Sequence, residues 1–232
     1  MLINDVDIEK FNATVLEVDI QNSNIKSQDV NIIKGLFPLF FKDEVGLNTI
    51  NITLLINSLD KKQYYIDKSN LLKLMIEPFE IYLEDRDLRF LCILTNHSDK
   101  ASLKQIRGRI VLTMFGYNLG DLISESINRT FSKTINVTGN YKVPAIIEIT
   151  PSIGLVDLTI SGLSNDPIII KNLKQGKKII IDGIEGTVTE EGINKFKDTD
   201  FWEFPFLLPG SNKITIDKNS CDITIKFKPR FI

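Results

Sequence analysis

Histidine is almost missing from this chain: His97 is the only one in 232 residues. General-base and nucleophilic catalysis most often uses an imidazole held beside its partner, so this scarcity removes the commonest dyads and triads. His97 stands in Thr95-Asn96-His97-Ser98-Asp99, after a strand end and before a charged stretch. No partner motif surrounds it, and it reads as an exposed loop residue. Cysteine is nearly as scarce. Cys92 and Cys221 each sit in an apolar run, and two reduced core thiols are expected of them. Neither a Cys-x-x-Cys pair nor a His-Glu-x-x-His helix is present, and no phosphate loop ends in Gly-Lys-Ser/Thr. The expectation is no catalytic residue, no metal and no cofactor.

An excess of basic charge is also lacking. Lys and Arg number 28 against 30 Asp and Glu, for a net charge of -2, whereas a chain that grips phosphates carries a basic excess or face. No apolar stretch approaches the roughly 18 residues that span a bilayer. The longest apolar cluster, Leu36 to Phe41, is open between core and subunit contact. The opening Met1-Leu2-Ile3-Asn4-Asp5-Val6-Asp7 has no basic leader with an apolar stretch behind it, so synthesis in a cytoplasm without membrane insertion is expected. What remains is ordinary globular composition, 43% hydrophobic and 25% charged, in a chain long enough to bury a core.

The apolar residues that are there are mostly arranged for strands. Leu16, Val18 and Ile20 alternate with Glu17 and Asp19, and a second run follows at Ile50 to Ile56. One helix is expected near Tyr65 to Ile76, capped by Asp67 or Ser69 and stopped by Pro78. A strand pair, Phe79 to Leu83 and Leu88 to Thr95, is joined by the acidic turn Glu84-Asp85-Arg86-Asp87, and Arg109 to Phe115 adds a further strand. Gly116 to Gly120 reads as a loop and Ser124 to Lys133 as a linker, dividing the chain into domains 1–128 and 129–232. Beyond it, short β runs recur between Gly, Pro and Asn turns, the pattern of a β-sandwich. Ile223, Ile225 and Phe227 alternate with polar residues in the last strand, and Pro209-Gly210 suits a type II turn. The chain ends in a strand-like run, so its terminus is expected to be tied into the fold.

Carboxylates are numerous enough that an acid pair for hydrolysis, or calcium ligands at residues 84–87 or 198–200, is one reading; hairpin turn and solvated loop are the other. Alternation over Trp202 to Leu207 would put Trp202, Phe204 and Phe206 on one face. That face is either sandwich core or a platform for stacking sugars, with Trp202 as the ligand-binding candidate.

The C-terminal phrase Phe201 to Asn212, with Pro209-Gly210-Ser211-Asn212 at its end and the closing hairpin to Ile232, resembles the C-terminal part of siphophage distal tail proteins. The opening at Leu2 to Ile8, the pair at Phe79 to Ile93, the strand at Ile110 to Phe115, and the pieces Pro144 to Ile149 and Lys178 to Asp182 are similar to that family in order and layout. The resemblance implies a mainly β protein, with an N-terminal ring-forming domain carrying one helix and a C-terminal galectin-like β-sandwich. It implies a virion structural protein of the phage tail tip, a baseplate hub without enzymatic activity. A homo-hexameric ring would join the tail tube protein on one face to tail-tip proteins on the other. DNA would pass through its lumen without specific binding, and the oligomer interface would lie within 1–128. The alternative is a glycan-binding β-sandwich module for host-surface attachment.

Overall fold

The computed structural model describes residues 1–22, 25–26, 44–101 and 106–231; the Leu36 to Phe41 cluster lies outside them. The chain divides into two compact units, Met1–Leu119 and Gly120–Phe231. That division falls before the stretch read as a linker, because Ser124 to Lys133 contributes to two strands of the second unit.

The first unit begins with β1 (Leu2–Ile3) and β2 (Val6–Asp7), a 3-10 turn at Ile8–Phe11, and β3 (Ala13–Gln21). A small pair, β4 (Ile25–Lys26) and β5 (Glu44–Val45), precedes β6 (Asn48–Asn57). Then come α1 (Lys61–Lys73), β7 (Phe79–Leu83), β8 (Leu88–Ala101) and β9 (Arg107–Leu119). The main sheet runs in the order β2-β1-β7-β8-β9-β6-β3. In β6, Ile50, Ile52, Leu54 and Ile56 are fully buried and alternate with half-buried positions. They meet Met114, Leu112, Ile110 and Gly108 of β9 across the ladder. Tyr64 and Leu71 of α1 join the same core.

The helix starts four residues earlier than its apolar periodicity announces. Asp60, not Asp67 or Ser69, is the cap: it accepts the Gln63 N–H at 2.8 Å. Asp67 falls between Tyr64 and Leu71 on the buried face. The first turn, Lys61-Lys62-Gln63, is polar, with both lysines exposed, and carries no apolar signal. Nor does the chain loop at Gly116 to Gly120, since β9 continues to Leu119. Gly116 permits this: a Cβ there would stand 2.5 Å from the Leu91 carbonyl oxygen and 2.7 Å from Cys92 Sγ.

The second unit contains β10 (Ile123–Asn128), β11 (Ser132–Val137), β12 (Val143–Pro144), β13 (Ile146–Pro151), β14 (Leu155–Ser161) and β15 (Ile168–Leu173). It continues with β16 (Ile179–Asp182), β17 (Thr187–Glu190), β18 (Ile193–Asn194), a 3-10 turn at Phe196–Asp198, β19 (Thr199–Asp200) and β20 (Phe206–Leu207). β21 (Gly210–Ile216), β22 (Cys221–Phe227) and β23 (Arg230–Phe231) complete it. One sheet has the order β10-β22-β13-β16-β17-β18, another β11-β21-β14-β15-β19, and β12 pairs β20. Ile147, Ile149, Ile223 and Ile225 from the first sheet share one core with Leu158, Ile160, Ile170 and Ile214 from the second. This is the expected β-sandwich, and the protein is mainly β.

Candidate interaction surfaces

The chemistry-bearing residues are engaged in structure. His97 is exposed, though it lies within β8 opposite Leu112 rather than in a loop. Both thiols are free and buried, and burial pushes Cys92 up to about 12 and Cys221 up to about 11, which keeps them protonated and unreactive. In the acidic turn, Asp87 accepts the Tyr82 hydroxyl at 2.8 Å and Glu84 lies 2.6 Å from the Met1 amino group. Asp198 takes hydrogen bonds from Lys195 at 3.0 Å and Asn172 at 3.1 Å, and Asp200 lies 3.6 Å from Lys171. Among the described residues, no group of three His, Cys, Asp or Glu side chains is placed to hold a metal.

Two polar clusters that alternation cannot reveal brace the units. Asp67, 3% exposed, accepts from Asn12 at 2.8 Å, Ser58 at 2.6 Å and Gln63 at 2.6 Å. Burial opposes its ionisation, yet those three donors outweigh it and hold the carboxyl below its ordinary value. Lys195, 6% exposed, donates to the Asn172 carbonyl and Asp198 and lies 3.5 Å from Glu190. Asp67 sits at the apolar helix spacing, between Tyr64 and Leu71, which is the one hint of its burial that the sequence offers. Nothing in the local pattern marks Lys195.

Besides the two-residue β2 at one end of the sheet, two longer stretches of strand edge in the first unit have no partner strand among the described residues. β3 pairs with β6 on one side and has no strand on the other. Its register shifts between Val15 and Glu17, where Leu16 is 46% exposed; such bulges blunt an edge. Beside this edge is a cleft of about 610 Å³, lined by residues of β3 and of the turn after β7. Arg86 reaches across it to the Val18 carbonyl at 3.0 Å. The second edge belongs to β8. β7 pairs with it only as far as Cys92, while β9 follows it to Ala101. Ile93, opposite Phe115, begins this overhang and is 52% exposed.

The second unit explains its terminal phrase. Gly210 holds a φ of +86°, so glycine suits the turn after Pro209. Asn212 then clamps it. The Leu208 N–H donates to Asn212 Oδ1 at 2.9 Å, and Asn212 Nδ2 donates to the Leu208 carbonyl at 2.7 Å and the Gly210 carbonyl at 3.0 Å. The expected strand from Trp202 to Leu207 is not formed; β20 holds just Phe206 and Leu207. Pro205 has no N–H for a ladder, and the chain bends at Trp202 and Glu203. Phe201 and Phe204, three apart, turn toward the sandwich core, and Trp202 between them is 89% exposed. The expected common face for Trp202, Phe204 and Phe206 is therefore not formed: Phe204 and Phe206 turn inward and Trp202 outward.

Residues 138–231 match the family model described as siphovirus-type tail component, C-terminal domain. The matched stretch lies within the second unit, and the resemblance to distal tail proteins is borne out. Across the whole chain the fold is similar to that of the Dit protein of phage SPP1, whose crystal structure is described as a paradigm of the hub adsorption apparatus in phages infecting Gram-positive hosts. The TM-score is 0.71 at 9% identity, covering 100% of this chain and 98% of that one. It is also similar to a chain of the phage P2 baseplate in its activated conformation with Ca, with a TM-score of 0.59 at 12% identity. That match covers 95% of this chain and 92% of the other. The same baseplate with Sr gives 0.58 at 13% identity, with the same coverage. No curated protein matches the chain by sequence.

Proposed function

We propose that this chain is the hub subunit of a siphophage-type tail tip, acting by geometry rather than by catalysis. Six copies form a closed ring between the tail tube protein and the tip or baseplate proteins. The N-terminal units make the ring contacts, and the C-terminal units, sandwiches of galectin-like type, offer surfaces to the tip proteins. DNA passes through the lumen without specific binding, in keeping with a net charge of -2. The observation that carries this reading is the match of residues 138–231 to the tail-component domain, together with a fold similar to a hub protein from end to end.

The strand edges supply a physical route to a ring. A closed cyclic assembly needs two different patches on each copy that fit one another head to tail. The edge of β3, apart from its bulge at Leu16 and the Val18 carbonyl that Arg86 occupies, and the overhang of β8 are two candidate patches, with backbone donors and acceptors able to extend a sheet into a neighbour. Light scattering on the purified chain, alone and with the neighbouring tail proteins, tests the assembly, with negative-stain images to show its shape. Six-membered rings are expected. A strict monomer under both conditions would overturn the reading.

A further inference from the structure

Trp202 is the sole tryptophan of the chain, and 89% of it is in water. A large aromatic left that exposed forgoes the burial that usually places it inside. Its backbone is held on both sides. Upstream, Thr199 and Asp200 pair with Ile170 and Ile169 of β15. Downstream, the Ala145 N–H donates to the Pro205 carbonyl at 2.9 Å and the Phe206 N–H to the Leu163 carbonyl at 2.7 Å. Phe201 and Phe204 lock edge to face with centroids 5.2 Å apart, and Phe196 stacks on Phe204 at 6.1 Å. The indole is thus presented outward from a fixed backbone corner, so that binding orders a side chain and not a loop.

Next to it in the chain, Glu203 accepts a hydrogen bond from Asn165 Nδ2 at 2.7 Å, which orients an amide and a carboxylate together. The nearby acids Asp198 and Asp200 are each matched by a lysine, Lys195 and Lys171. The corner therefore combines a flat aromatic face with a hydrogen-bonded donor-acceptor pair, beside acids that are ion-paired. Those are the requirements of a polyhydroxylated, uncharged ligand: an apolar ring face to stack on and hydroxyls to hydrogen-bond. A protein partner is less well served, because its anchors work inside a broad apolar patch that excludes water, whereas Trp202 has Asp200 and Glu203 near it in the chain and only Phe196 of the aromatic cluster beneath it is exposed.

We propose that this corner is a binding site for a neutral saccharide, with the Trp202 indole stacking on the sugar ring and Glu203 with Asn165 bonding its hydroxyls. The proposal is independent of whether the chain forms rings. Because no other tryptophan exists, intrinsic fluorescence reports the site directly. Titrating the full chain with neutral oligosaccharides of glucose, galactose, rhamnose and N-acetylglucosamine is expected to give a saturable emission change with at least one of them. Calorimetry with that sugar should show affinity falling about tenfold or more in Trp202→Ala, falling clearly in Glu203→Gln, and staying within a few-fold in Trp202→Phe. No saturable response across the panel, or undiminished calorimetric binding by Trp202→Ala, overturns the proposal. An emission change caused by a tail-tip protein, with silence toward every sugar, overturns it too and assigns the indole to a protein contact.

Discussion

Asp67 shows how a single side chain can decide a local structure. Its carboxylate draws together the turn before β3, the end of β6 and the helix, through Asn12, Ser58 and Gln63. Asp67→Ala leaves those donors without their acceptor inside the unit, and a loss of about 3 kcal/mol is expected in urea unfolding. Its carboxyl is held below the ordinary value in the folded state. The stability it contributes is therefore complete above the range where an unfolded aspartate titrates, and is lost as pH falls through the depressed folded value. The Asp67→Ala variant should accordingly show a shallower decline of stability in acid than the parent, measured by unfolding at a series of pH values. Asn212 plays the equivalent part in the second unit, closing the Pro209-Gly210 turn from both sides. Asn212→Ala is expected to cost about 1–2 kcal/mol, read as a lower thermal midpoint with the fold otherwise kept.

Among elements, the strand edges carry the sharpest expectation. A lysine on an edge strand discourages a second strand from pairing there. Leu16→Lys on β3 and Ile93→Lys on β8 replace half-exposed side chains, so each variant should fold as a monomer and fail to form rings. Mixed in equal amounts they still have one intact edge of each kind between them. A head-to-tail contact then predicts heterodimers that grow no further, detectable by native mass spectrometry; rings from either variant alone would exclude that edge from the contact. The elements also show where sequence was enough. The alternation of β22 and the β7–β8 pair were legible because a half-buried strand writes its two faces into consecutive residues. The start of α1 was not, because its first turn is polar.

At the scale of the molecule, the two units have separate cores, with Ile50, Leu112 and Tyr64 in one and Ile147, Leu158 and Ile223 in the other. The sandwich core draws on residues of the second unit alone. Residues 120–231 produced by themselves are therefore expected to fold, with a cooperative thermal transition and dispersed amide resonances. A fluctuating, poorly dispersed fragment would mean that the sandwich depends on the first 119 residues. Separate cores let each unit vary its surface without disturbing the packing of the other.

The sequence by itself determined the β-rich class, most of the strands, the turn at Pro209-Gly210 and the resemblance to distal tail proteins. Each of these is written locally, in alternation, turn chemistry or motif order. Tertiary structure decided the rest. The three donors around Asp67 come from residues as far apart as Asn12 and Gln63. The open edges of β3 and β8 are defined by strands that are not beside them, which no stretch of neighbouring residues records. Trp202 is the clearest case. Alternation put it on one face with Phe204 and Phe206, but alternation holds only while a strand continues, and a proline and two anchored phenylalanines broke the strand and turned the indole to water.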